Sequence, residues 1–353
     1  MTSAPRRVYV DWARGVAVLV MIQAHTFDAW TRIADRQTAF YRWAMVFGGI
    51  AAPLFLFLAG LAVALSAASV CRRGGTPLAG VEAVVKRGLE IFLLAFLFRL
   101  QALVITPGGP LVNLFRVDIL NVIGPAMVLA GLVWGAAKTS GCRVAAFAVL
   151  AAAIALATPA VRLWPGVDRL PTFFQWYLRP FGEQTTFTLL PWVGFAMAGA
   201  AVGTLIDAAR STKQETRVHI GCAVGGALLV ALGLVTATQP TIYQQSYFWT
   251  TSPTFFSIRT GTMMLTLSAC YWVARAAAPA GTDPLTVLGR GSLFVYWIHV
   301  ELAYGYLTWP IRRKLTPSQV VVAYAVFSVL MYLALLTKNR IVDRRRLGAG
   351  GRA

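Results

Sequence analysis

Val8-Tyr-Val-Asp-Trp-Ala-Arg-Gly-Val-Ala-Val-Leu-Val-Met-Ile-Gln-Ala-His25 is long and apolar enough to read as a membrane span, yet it carries Asp11, Arg14 and His25. Arg14 and His25 are eleven residues apart, which at 100° per residue is within about 20° of a whole number of turns. Asp11 lies near the same line, so the three form one polar stripe on a greasy helix. Ionisable groups in a bilayer-length helix cost several kcal/mol unless partnered, which makes them functional candidates.

Outward from this stretch the chain keeps the same character. It has 353 residues, 58% of them hydrophobic and only 13% charged, with a mean hydropathy of +0.65. So much apolar surface does not fit a soluble core. The expected fold is an all-α polytopic membrane protein with about ten transmembrane helices in one bundle. The runs fall near 8–28, 43–70, 84–105, 118–137, 143–160, 186–206, 218–237, 256–277, 286–309 and 318–337. Residues 1–7 form a short N-terminus, 8–337 one membrane domain and 338–353 a basic tail.

The net charge of +19 is not a nucleic-acid footprint, because the basic residues sort by side. With the N-terminus inside, cations such as Arg6, Arg72, Lys86, Arg87, Lys138, Lys213, Arg290 and those of the tail face the cytoplasm. Nineteen Lys and Arg then lie inside and ten outside, with Arg14, Arg99 and Arg259 within spans. The positive-inside rule places both termini in the cytoplasm. A basic inner face also suits anionic headgroups and phosphorylated ligands. Cys71, Cys142, Cys222 and Cys270 have no metal-ligand spacing and require no disulfide. The first run lacks a small-residue cleavage site, so it is expected to stay as a span.

Other features have plain structural readings. Ala59 and Gly60, in Pro53-Leu-Phe-Leu-Phe-Leu-Ala-Gly60, suit close helix packing. Thr106-Pro-Gly-Gly-Pro110 reads as a turn. Asp118 and Asn121 are one helical turn apart. Two aromatic outer loops, Leu163 to Glu183 and Thr241 to Trp249, fit either an interfacial aromatic belt or a rim that stacks on a sugar-like ligand.

Proton chemistry narrows to two of the three histidines. His219 beside Arg217 reads as a solvated loop residue. His25 and His299 fall inside spans, where an imidazole serves as a general base or ties two helices together. Asp28, three residues after His25, could orient its ring. Along a straight helix Arg14 and His25 are about 16 Å apart, too far to touch. A ligand with an anionic head at the basic face and a long arm ending in a reactive group matches that layout, and acyl-coenzyme A is such a ligand. Asp118 and Asn121, with Arg99, Arg259 and Glu301, could line the acceptor side.

Four stretches carry a resemblance to a known family. They are Asp11-Trp-Ala-Arg-Gly15 with His25; Pro53 to Gly60; Val117-Asp-Ile-Leu-Asn-Val-Ile-Gly124 with Leu190-Pro-Trp-Val-Gly-Phe195; and Leu288-Gly-Arg-Gly-Ser-Leu-Phe-Val-Tyr-Trp-Ile-His299. Together they resemble the transmembrane acyltransferase superfamily. The nearer branch is heparan-alpha-glucosaminide N-acetyltransferase-like, with the Arg-to-His spacing of the related acyltransferase-3 family. The resemblance implies a membrane enzyme that moves an acyl group, acetyl in the first instance, from cytoplasmic acyl-CoA to an extracytoplasmic glycan, amino sugar or glycolipid. His25 matches the family's catalytic histidine. Asn121 stands where the heparan-type pattern commonly has Gln, so a heparan acceptor does not follow.

The expectation is thus an acyl-CoA-dependent O- or N-acyltransferase of a plasma or bacterial inner membrane. His25 is the base or acyl carrier and Asp28 orients it. Arg14 and Arg87 hold the donor; Asp118, Asn121 and His299 face the acceptor. Acetyl-CoA or another acyl-CoA is the donor, and no metal is expected. The partners are membrane lipids and a carbohydrate acceptor, with self-association left open. The rival reading is a proton-coupled transporter or flippase using the same His, Asp and Arg groups as a relay.

Overall fold

The computed structural model describes residues 7–105, 110–278 and 282–350. Arg6, residues 106–109 of the expected turn and the last three residues of the tail lie outside the described residues. The α-helices are α1 (Val8–Trp30), α2 (Ala39–Gly48), α3 (Ala51–Arg72), α4 (Pro77–Ile105), α5 (Ile119–Ala136), α6 (Ser140–Leu163) and α7 (Thr172–Leu178). They continue with α8 (Trp192–Ala208), α9 (Thr212–Ala237), α10 (Pro253–Ala277), α11 (Pro284–Arg290), α12 (Ser292–Tyr304) and α13 (Pro317–Gly350). The only strand-like pairings among the described residues are the isolated bridges Thr31–Leu315 and Val117–Thr185, in keeping with the all-α expectation.

Local chemistry starts several helices. Thr38, Thr139, Ser211 and Asp283 each accept a hydrogen bond from the backbone N–H three residues on, which satisfies a donor the first turn leaves unpaired. At α5, Asp118 and Asn121 form a reciprocal capping box. Pro284 opens α11, where its missing N–H costs nothing.

Among the described residues, six stretches are long and apolar enough to cross a membrane: Ala39–Arg72, Pro77–Ile105, Ile119–Ala136, Ser140–Leu163, Thr212–Ala237 and Pro317–Arg345. They coincide with six of the expected runs. α1 and α10 have the length, 23 and 25 residues, but their polar side chains keep them out of that set. α8 has 17 residues and begins at Trp192, later than the run expected from 186. The expected run 286–309 is not one helix: it breaks at Gly291 between α11 and α12 and ends in a 3-10 turn, Tyr306–Ile311. The side chain of Leu335 fills the space a Cβ on Gly291 would need. α13 continues as helix from Pro317 to Gly350, through residue 338 and into the basic tail. His219 is not a solvated loop residue either, since it is fully buried within α9.

The chain divides into two compact units, one made of residues up to Ala52 and from Cys270 onward, the other of Pro53–Ala269. In the first unit α1 is the core: α2, α11, α12 and α13 all pack on it. Ala13, Ala17, Val18 and Ile22 along it are completely buried. Its C-terminal end is pinned to the start of α13, where Arg32 N–H donates to Leu315 O and Leu315 N–H to Trp30 O.

In the second unit α4 packs on α5 and α6 on α8. α3 and α8 cross at backbone contact. A Cβ at Gly60 would stand 1.8 Å from the carbonyl oxygen of Ala196, and one at Gly199 would stand 1.8 Å from that of Phe57. Small residues allow this approach, and lipid offers no hydrophobic drive that could replace it. Gly199→Ala is therefore expected to lower the unfolding midpoint in detergent, by an overpacking cost of about 1–3 kcal/mol. Gly221→Ala, where nothing lies within 4 Å of the new Cβ, leaves the midpoint unchanged or raises it. Equal midpoints for Gly199→Ala and the parent chain would contradict the close crossing.

Candidate active site

The first unit gathers most of the polar residues picked out in the sequence. Asp11 is buried, 2% exposed, and neutralised from two sides. Arg14 lies 3.9 Å away one helical turn on, and Arg290 approaches from α11 with Nε at 3.3 Å. Removing one partner of such a buried pair costs about 3–5 kcal/mol. Two glycines let α1 and α11 approach. A Cβ at Gly15 would stand 2.4 Å from the carbonyl oxygen of Leu285, and one at Gly289 only 1.9 Å from that of Asp11. Trp12 Nε1–H donates to the Thr286 hydroxyl at 3.1 Å, and that hydroxyl donates to Asp283 at 2.7 Å.

These contacts place α11 across α1 between residues 11 and 15, with Gly289 against both the Asp11 carbonyl and the Gly15 backbone nitrogen. Beyond Gly291 the register ascends. His25 meets His299, Trp30 Nε1–H donates to Ala303 O at 2.9 Å, and the Tyr304 hydroxyl donates to Asp28 at 2.8 Å. The break at Gly291 thus redirects the chain, from α11 lying across α1 to α12 running along the far half of the same helix.

That bend brings His25 and His299 into contact. His25 Nδ1 and His299 Nε2 are 2.7 Å apart, with the rings nearly parallel, 15° between planes. His299 is completely buried, whereas His25 is half-buried. The other nitrogen of His299, Nδ1, lies 2.8 Å from the carbonyl oxygen of Val295. A carbonyl only accepts, so Nδ1 of His299 carries a hydrogen. A neutral His299 then offers its Nε2 lone pair to His25, which must donate from Nδ1. The lone pair of His25 accordingly resides on Nε2, the arrangement of a general base whose tautomer is set by a neighbour.

Asp28, expected behind the His25 ring, accepts from Tyr304 and forms an ion pair with Arg36 at 3.5 Å. It reaches His25 through Tyr304, whose ring meets the imidazole edge-on at 5.8 Å. Arg14 stands on the same helix toward its N-terminal end.

The remaining expected site residues belong to the second unit. Arg87 makes an exposed pair with Glu90 at 2.9 Å, on the outer surface of α4. Asp118 forms a salt bridge with Arg99 while it caps α5, and Asn121 Oδ1 accepts from the Asp118 N–H at 3.0 Å. The Asn121 amide also donates to the Tyr177 hydroxyl at 3.5 Å, and burial pushes that phenol up to about 12, so it stays protonated. Arg259 rests over the Phe255 ring at 4.1 Å and near Trp192 at 5.4 Å. The first aromatic loop folds around Phe173, whose ring meets those of Phe115, Trp176 and Tyr177.

Tyr304, Arg36 and the link from Asp11 to Arg290 were not anticipated. Arg290 had a signal in the Gly289-Arg290-Gly291 run, since an arginine between glycines marks a close backbone approach with a charge to place. Nothing local could pair residue 28 with residue 304.

Comparison with known proteins adds the chemistry. A family model described as "Heparan-alpha-glucosaminide N-acetyltransferase, catalytic" matches residues 6–233. No curated protein matches the chain. The matched stretch includes Arg14, His25, Asp28, Asp118 and Asn121 and ends before α11 and α12, which supply Arg290 and His299. It covers well over half of the chain, which therefore belongs to the heparan-alpha-glucosaminide N-acetyltransferase catalytic family and is a multi-pass membrane protein.

Proposed function

We propose that the protein transfers an acetyl group from acetyl-CoA on the cytoplasmic side to a hydroxyl or amine of a glycan or glycolipid on the far side. The observation that carries this is the His25–His299 pair, which commits the His25 lone pair to Nε2. In the direct route Nε2 accepts the proton of the acceptor as its oxygen or nitrogen attacks the thioester carbonyl. The carbon–sulfur bond breaks and CoA leaves as thiolate, which the proton on His25 then neutralises. In the covalent route the same lone pair attacks the thioester first, the carbon–sulfur bond breaks with CoA leaving as thiolate, and the acyl-histidine passes the acetyl group to the acceptor, whose proton the thiolate takes. In both, the cation formed on His25 keeps donating from Nδ1 to His299. His299 is thus a positioning residue, and Asp28 acts through Tyr304. Arg14 holds the donor at the other end of α1.

The topology that suits this chemistry has both termini in the cytoplasm and ten crossings. α1, α8 and α10 join the six apolar stretches, and α12 with its 3-10 turn serves as the ninth crossing. α11 dips beside the N-terminal half of α1 before the chain climbs.

His25→Ala is expected to lower kcat by about 10²–10⁴-fold at unchanged membrane abundance, measured as acetyl transfer in membranes supplied with acetyl-CoA. Full activity in that variant would remove the central claim. Release of CoA without acceptor, together with ping-pong kinetics, marks the covalent route. His299→Ala should reduce kcat by roughly 10–100-fold, the usual scale for a partner that orients a reactive histidine, and alter the pH profile. His299→Gln, which still offers an oxygen acceptor to His25, should recover part of the loss. Equal activity of the Ala variant and the parent enzyme would mean the pair does not set the tautomer.

A further inference from the structure

Two stretches of the first unit carry the same pair of groups in the same order. On α1 Arg14 precedes His25 by eleven residues; along α11 and α12 Arg290 precedes His299 by nine. The register contacts make the second series run beside the first, so the histidines meet at one end and the arginines meet on Asp11 at the other. At 1.5 Å per residue the arginine and histidine ends are separated by about 13–16 Å.

Two guanidiniums meet the Asp11 carboxylate at this end. The Asp11 side chain is sealed at 3% exposure, while those of Arg14 and Arg290 are 29% and 40% exposed. The anion is thus covered and the cations face outward. Asp11 engages Arg290 through Nε and not through the terminal amino groups, the part of a guanidinium that most often grips an oxyanion in a fork.

We infer that Arg290, together with Arg14 and oriented by Asp11, binds the phosphate-bearing head of the acyl donor. This rests on the acyl-CoA reading proposed above and adds a residue and a place to it. The donor's charged head sits where α11 turns into α12, and its pantetheine arm follows the seam between the helices toward His25. Such a layout fits a donor with multiple negative charges on a long neutral arm. It also gives the Gly-Arg-Gly run a function: the glycines bring α11 onto α1 and the arginine meets the ligand there.

The test uses the full chain in lipid nanodiscs, with calorimetric CoA binding and steady-state turnover of acetyl-CoA against acetyl-pantetheine, which lacks the nucleotide and its phosphates. Arg290→Gln is expected to weaken CoA binding and raise the acetyl-CoA KM at least about tenfold, as for the loss of one charge-assisted hydrogen bond. Its kcat, and its turnover of acetyl-pantetheine, should match the parent enzyme. Arg290→Lys, which keeps Asp11 neutralised but loses the fork, should weaken CoA binding several-fold and covers the case in which the Gln variant fails to fold. An Arg290→Gln protein that binds CoA like the parent, or that loses acetyl-pantetheine turnover by the same factor, would overturn the inference and leave Arg290 a structural ion pair. A parent protein that binds no CoA would instead overturn the acyl-CoA reading itself.

Discussion

A carboxylate buried in the central helix must be neutralised, and much of the first unit's architecture follows from how that is done. Asp11 cannot reach water, and Arg14, one turn along the same helix, approaches only to 3.9 Å. The second cation comes from Arg290, more than two hundred residues away in sequence. Bringing it in requires α11 to lie against α1 at backbone contact, which Gly15 and Gly289 permit. Once α11 is docked, the chain reaches the other half of α1 by bending at Gly291.

The bend links stability to chemistry. A single straight helix over 286–309 would have met α1 at one crossing. The broken version offers two, so the same helix receives an ion pair near its N-terminal end and a histidine near its C-terminal end. The histidine contact sets hydrogen positions as well as packing. Because Val295 O accepts from His299, the direction of donation runs from His25 to His299 to Val295, and the more exposed ring keeps its lone pair on Nε2. A polar chain fully satisfied in this way can persist at depth where a lone ionisable group would not.

Much of this was legible in the sequence. The helical class, six apolar stretches, the polar stripe on α1, the packing role of Gly60 and the interest of His25 all follow from hydropathy, period and residue type, which are local properties. The misreadings also have physical reasons. The 286–309 stretch averages as apolar despite Arg290, His299 and Glu301, and hydropathy is blind to direction, so a bend that exchanges one helix for two leaves no trace in it. His219 follows a charged run, which reads as solvated, but its helix already starts at Thr212 and its ring is turned into the packed side. Asp118 and Asn121 sit one turn apart in any helix, and the capping box they form was an available reading of that spacing.

The sequence by itself determined that this chain is helical, that its helices suit a bilayer, and that Asp11, Arg14, His25 and His299 are costly groups needing partners. It did so because burial cost and helical period are set by side-chain chemistry and spacing along the chain. Only the tertiary structure decided who the partners are: Arg290 for Asp11, Tyr304 for Asp28, and each of the two histidines for the other. Those pairings join segments more than 270 residues apart. They depend on a glycine-lined contact and a chain bend whose direction no local pattern encodes.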